Sequence, residues 1–364
     1  MFGRSYRVAT IGGVPIHVDG SWLWIAVFIT YNLWVRFHAA TGGPVRGLAL
    51  AVVTAILFFG SVLLHELAHA LAARAQGITV FGITLVIFGG FTATRADERG
   101  PGPAFAIAAV GPATSLAVGG IFWLAADALG ARNPVFAGAL RQVGWVNLFM
   151  AGFNILPGLP LDGGRMLQTA VWRFTGRPDL ATKVAARAGI VVAIALFGAG
   201  LLEVGRGDLF GAIWLAIIGA FIFQGARGAE TSSRAATRLA SGRVRDVMDP
   251  PPPTIDAELA LSDALDRFLR GSEERVFPVV DGGALVGALT FASARSVGVV
   301  DPLRPVRDAL VPLADLLVLH PDDALDAAGT RLTDGGTALV VDGGVLVGTL
   351  RGERLIAWAE RRGD

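Results

Sequence analysis

Six apolar runs fill most of the chain before residue 227, and after it the pattern changes to that of an ordinary water-soluble sequence. The runs are 20–35, 47–64, 103–126, 142–161, 188–202 and 209–226. About 20 apolar residues in a helix cross the hydrocarbon core of a bilayer. The predicted architecture is therefore a membrane α-helical domain of about six transmembrane helices. Between the second and third runs, residues 78–94 are rich in β-branched and aromatic residues and are broken by Gly82, Gly89 and Gly90. That composition predicts one or two short strands with a turn, a β insert among helices. At membrane depth such backbone is tolerated only against protein or water, and a strand edge there could pair with an extended peptide.

Residues 229–242 are small and polar and read as a linker. A tandem repeat follows. Residues 279–289 (VVDGGALVGAL) and 340–350 (VVDGGVLVGTL) agree at nine of eleven positions, at an offset of 61. Upstream, Val244-Arg245-Asp246 is echoed by Val306-Arg307-Asp308. Each unit continues with a helical pattern, 261–269 or 324–332, and then strand–turn–strand. The division expected is a transmembrane domain over 1–228, the linker, and α+β repeats over 243–300 and 301–364. One unit of that size buries too little on its own, so the two should pack together.

Composition agrees with the pattern. The 364 residues are 53% hydrophobic and only 17% charged, with a mean hydropathy of +0.58. A soluble domain carries nearer a quarter charged residues. The net charge of +1 and the lack of a basic cluster interleaved with aromatics argue against nucleic acid as a partner. The N-terminal segment lacks the pattern of a cleavable signal. Lys and Arg favour one side of the runs. Ten of them (Arg4, Arg7, Arg74, Arg95, Arg99, Arg165, Arg173, Arg177, Lys183 and Arg187) fall on the side of the N-terminus. Five (Arg36, Arg46, Arg132, Arg141 and Arg206) fall opposite. The expectation is a multi-pass cell-membrane protein with its N-terminus and C-terminal repeats in the cytoplasm.

With no cysteine, any metal must be held by His and carboxylates. The second run leads into His65-Glu66-Leu67-Ala68-His69, an H-E-x-x-H pattern. On a helix, His at i and i+4 share a face and can bind one zinc, with the Glu placed as a general base. Polar groups inside an apolar helix are costly unless they are used. The remaining histidines, His17, His38 and His320, lie at the ends of the first run or in the repeats. The third ligand expected is Asp162, which follows twenty uncharged residues and a helix break at Pro157, Gly158 and Pro160. Asp162 could also serve as the N-cap of a helix starting at Gly163.

These residues resemble the site-2 protease family of intramembrane zinc metalloproteases. HELAH matches its H-E-x-x-H. Asn154-x-x-Pro157-x-x-Pro160-x-Asp162-Gly163 is similar to its second motif, and the strand-rich insert and Gly111-Pro112 also look like that family. The repeat resembles a tandem CBS-domain pair. The resemblance implies one zinc per chain on His65, His69 and Asp162. It also implies Glu66 as general base, and Asn154 holding the scissile carbonyl or its oxyanion. Membrane proteins in the bilayer would be the substrates. A CBS pair of this kind binds adenine nucleotide through a Thr or Ser and an Asp three residues later. Here Thr290 is followed by Ser293, while Arg351 and Arg354 hold the second pair of positions. Homodimerisation or docking through the pair therefore stands beside nucleotide binding. The competing class is a CBS-regulated membrane transporter or channel, which would need charged residues in several runs and no H-E-x-x-H.

Overall fold

The computed structural model describes residues 5–86, 89–94, 100–270, 272, 276–298, 301–332 and 336–360. Arg4, Arg95 and Arg99 of the orientation argument lie outside the described residues. So do Ile87 and Phe88 of the predicted insert and the ends of both repeats (299–300, 361–364). The chain divides into two compact units, 1–230 and 231–364.

The first unit opens with a hairpin that the apolar runs did not foretell. Strands β1 (Ser5–Ile11) and β2 (Val14–Asp19) pair antiparallel. Gly12 and Gly13 at the turn take φ of +56° and +77°, the conformation a two-residue hairpin turn demands. Asp19 then caps helix α1 (Gly20–Ala40), accepting a hydrogen bond from the Ser21 amide at 2.9 Å. Helix α2 (Pro44–Ala75) follows a proline at its first turn. Strands β3 (Val80–Val86) and β4 (Gly89–Thr94) form the predicted insert. β2 pairs parallel with β3, so the sheet runs β1-β2-β3-β4 and β4 is an edge. Val14, Ile16, Ile83 and Leu85 pack on Ala70 of α2, with Leu63 and Leu67 beside them. The sheet is thus seated on the helix that carries H-E-x-x-H.

Helices α3 (Pro101–Gly130), α4 (Pro134–Asn154), α5 (Asp162–Thr175), α6 (Pro178–Gly205) and α7 (Leu209–Ser241) complete the helical core. Small residues let them approach. A Cβ on Gly144 would lie 3.1 Å from the Gly119 carbonyl oxygen, so α3 and α4 meet backbone to backbone. Every apolar run falls within helix, apart from the end of the fourth. That run was expected to continue to Leu161, but α4 ends at Asn154. Pro157, Gly158 and Pro160 break the chain there. Four helices among the described residues are long and apolar enough to cross a membrane: α2, α3, α6 and α7. The count of about six is accordingly not reached on this measure. α1 carries Asn32 and Arg36 and α4 carries Arg141, Gln142 and Asn147 along only 21 residues each. The stretch read as a linker is helical as far as Ser241.

The second unit contains β5 (Ile255–Asp256), α8 (Leu261–Ala264), β6 (Val276–Asp281), β7 (Ala284–Thr290), α9 (Phe291–Gly298) and β8 (Val311–Pro312). It continues with β9 (Val318–Leu319), α10 (Leu325–Arg331), β10 (Thr337–Asp342), β11 (Val345–Arg351) and α11 (Gly352–Glu360). The repeated segments become the hairpins β6–β7 and β10–β11. Each turns through two glycines at positive φ, +58° and +88° in one, +56° and +84° in the other. The Val-Arg-Asp segments form short turns that pack crosswise. Val244 and Val247 are buried with Leu319, Leu325, Val340 and Leu350, the core of the later repeat. Val306 and Ala309 are buried with Ile255, Leu261, Val279 and Leu289, the core of the earlier one. A cut at residue 300 therefore does not separate the two cores.

Candidate metal centre

His65 and His69 project from one face of α2, one turn apart. Asp162 reaches them from the first residue of α5. The two Nε2 atoms are 3.3 Å apart, and Asp162 Oδ2 lies 3.2 Å from His65 Nε2 and 3.3 Å from His69 Nε2. Ligands at two corners of a tetrahedral zinc site, with bonds of about 2.0–2.1 Å, stand about 3.3–3.4 Å apart. The three donors fit zinc in number, type and spacing, and among the described residues no further His, Asp or Glu joins the group. No capping bond comes from Asp162. The N-cap is Leu161 and no side-chain cap is made, so the capping alternative is not realised and the carboxylate is directed to the histidines.

The far ring nitrogens are held by α3. His69 Nδ1 lies 2.7 Å from the Ile107 carbonyl oxygen, which can only accept, so Nδ1 carries the hydrogen and Nε2 presents its lone pair to the site. His65 Nδ1 lies 2.9 Å from Ser115 Oγ. Between these two contacts stands Gly111, where a Cβ would overlap both Nε2 atoms. Ile107, Gly111 and Ser115 are spaced by four and share one face of α3. That spacing was readable in advance, but without the α2–α3 packing nothing marked it as support for the histidines.

The carboxylate is delivered by glycine. The segment between α4 and α5 folds back so tightly that a Cβ on Gly163 would strike the Ile155 carbonyl, and one on Gly164 the Gly158–Leu159 backbone. The segment's own amides do not go unpaired: Leu159 donates to the Ala185 carbonyl of α6 at 3.1 Å. Irregular backbone among apolar helices is thereby satisfied by protein.

Glu66 follows His65 and faces the insert. Thr92 Oγ1 of β4 lies 3.2 Å from Glu66 Oε2. A Cβ on Gly90 would lie 2.6 Å from Glu66 Cγ, so only glycine lets β4 come this close. Asn154, at the end of α4, is half-buried and is not a member of the three-residue ligand group. His17 sits in β2, His38 in α1 and His320 in the second unit, all outside it. One further polar pair escaped sequence reading. Asn147, fully buried on α4, donates to Ser61 Oγ at 2.9 Å, one turn before His65 on α2.

Comparison with known proteins agrees with this chemistry. Peptidase family M50 matches residues 53–132 and 131–196, and CBS domain matches residues 244–297. The chain is 37% identical over 353 residues to Rip3 of Mycobacterium tuberculosis, named as a zinc metalloprotease, covering 93% of this chain and 88% of that one. It is 32% identical over 326 residues to sll0528 of Synechocystis, likewise named as a zinc metalloprotease, covering 86% and 84%. Among solved structures it is similar to the site-2 protease from Methanocaldococcus jannaschii, with 25% identity, a TM-score of 0.45, and 62% of this chain and 95% of that chain covered. The transporter or channel alternative is not favoured by these matches. With the donors, their spacing and these relatives together, the chain belongs to peptidase family M50, the site-2 protease family, and is a zinc metalloprotease carrying a CBS domain.

Proposed function

We propose that the protein is an intramembrane endopeptidase that cuts transmembrane or membrane-proximal segments of other membrane proteins. The observation that carries this reading is the edge strand β4 lying against Glu66 while His65, His69 and Asp162 converge among apolar helices.

A peptide bond inside a membrane helix has its carbonyl hydrogen-bonded and shielded, so a substrate must become extended before it is cut. The edge of β4, unpaired in the sheet among the described residues, offers backbone donors and acceptors that replace the bonds lost on unwinding. Zinc, when bound, supplies Lewis-acid polarisation of the scissile carbonyl and makes water acidic enough to lose a proton near neutral pH. Glu66 takes that proton and afterwards returns it to the leaving amine. The helix break after Asn154 leaves its carboxamide free to hold the carbonyl as negative charge develops. His65, His69 and Asp162 act only as ligands.

The N-terminus and the CBS pair face the cytoplasm in this reading, as the Lys and Arg distribution favours. The first unit, with α1 and α4 spanning alongside the four longer helices, is the catalytic domain. The C-terminal pair is a regulatory or dimerisation module.

The decisive experiment is Glu66→Gln in full-length protein purified in detergent. It should retain about one zinc per chain by metal analysis and lose cleavage of membrane substrates. Membrane proteins that accumulate in cells expressing Glu66→Gln but not in cells expressing the wild-type chain would be the candidate substrates. An active Glu66→Gln enzyme would exclude the mechanism.

A further inference from the structure

Glu66 needs more than a place on α2. Its side chain has three rotatable bonds, and a general base contributes only when its carboxylate is held at the proton it takes. The structure shows what holds it. Gly90 and Thr92 are two residues apart on β4 and so present to the same face of the strand. Gly90 makes room for the Glu66 Cγ and Cδ. Thr92 Oγ1 lies 3.2 Å from Glu66 Oε2 and 3.4 Å from the Glu66 carbonyl oxygen. A threonine hydroxyl has one hydrogen, so it bonds the carboxylate or is shared with the backbone carbonyl of the same residue. Either way one β4 side chain ties the carboxylate to the strand.

We infer that Thr92 is a positioning residue for the reaction, donating its hydroxyl hydrogen to Glu66 and so aligning the base with the edge at which substrate is bound. The inference rests on the reading of Glu66 as general base and goes beyond it, because it assigns a role in turnover to the insert itself. A hydroxyl at this point also keeps the carboxylate anchored through one oxygen, leaving the other free for the proton.

The test uses full-length protein in detergent and a single-span test substrate, a helix of about 20 apolar residues with a reporter at each end. Thr92→Val keeps the branched shape and removes the hydroxyl. It should lower kcat by about tenfold, the effect of one lost hydrogen bond to a charged group, with KM within about twofold. Zinc content should be unchanged. Thr92→Ser restores the hydroxyl and should recover most of the lost turnover. Should valine disturb folding, Thr92→Ala carries the same expectation. Valine or alanine variants that are folded and turn over within about twofold of wild type overturn the inference, as does a serine variant no better than valine. Glu66→Gln, measured alongside, separates the two readings. If it is inactive while Thr92→Val is fully active, the base stands and the role of Thr92 falls. If it is active, the base reading itself is lost.

Discussion

The Ile107 carbonyl of α3 holds His69 from behind, 2.7 Å from Nδ1, and so selects which ring nitrogen faces Asp162. One helix supplies the proposed ligands, and its neighbour supports both of them from behind. Ser115, two turns further along α3, lies 2.9 Å from His65 Nδ1 and orients that ring, although a hydroxyl can donate or accept and so leaves the tautomer open.

Ser115→Ala should therefore weaken zinc binding without removing a ligand. Loss of such a supporting contact costs about 10–100-fold in metal affinity. Titration with a competing chelator, followed by metal analysis, measures it, and the protein should remain folded with zinc in excess.

Gly111→Ala should be far more damaging. The new methyl group would occupy the space between the two Nε2 atoms, so zinc and activity should be lost together. Gly102 and Gly120 of the same helix have open space around their Cβ positions. Alanine at either should leave zinc content unchanged, and metal analysis of the three variants distinguishes a local clash from a general intolerance of α3.

Asp162→Asn keeps the shape of the side chain but removes the charge that offsets the metal's. Bound zinc should fall well below one per chain at chelator concentrations the wild type survives. Removing zinc from wild-type protein should abolish cleavage, and adding it back should restore it.

In the second unit Asp249 takes two bonds from Arg351, at 3.1 and 3.0 Å, and lies 2.8 Å from Arg354. By the resemblance to a CBS pair, those arginines hold the second pair of positions expected to contact ribose, and Asp249 is bonded to both. ATP titrated against the full-length protein should bind at no more than one site per chain. Equilibrium dialysis yielding two would contradict this.

Much of this architecture was open to a reader of the residues alone. The apolar runs marked the helices because about 20 consecutive apolar residues satisfy their own backbone, where water is excluded, by forming a helix. His65, Glu66 and His69 announced themselves as polar groups in an apolar helix. Asp162 followed from the broken backbone before it. The hairpin β1–β2 went unread because its partner strand, β3, is more than sixty residues away and its own sequence is short and mixed. Thr92, Ser115 and Gly111 went unread for a similar reason. An ordinary threonine, serine or glycine acquires a role only from what is packed against it. The crosswise burial of Val244 and Val306 was equally hidden, since a repeat pattern shows that two units exist and not which core each segment joins.

That crosswise burial has a consequence for folding. Each half of the CBS pair is completed by a segment from the other, so the two halves should unfold in one step, and removing either should unsettle its neighbour.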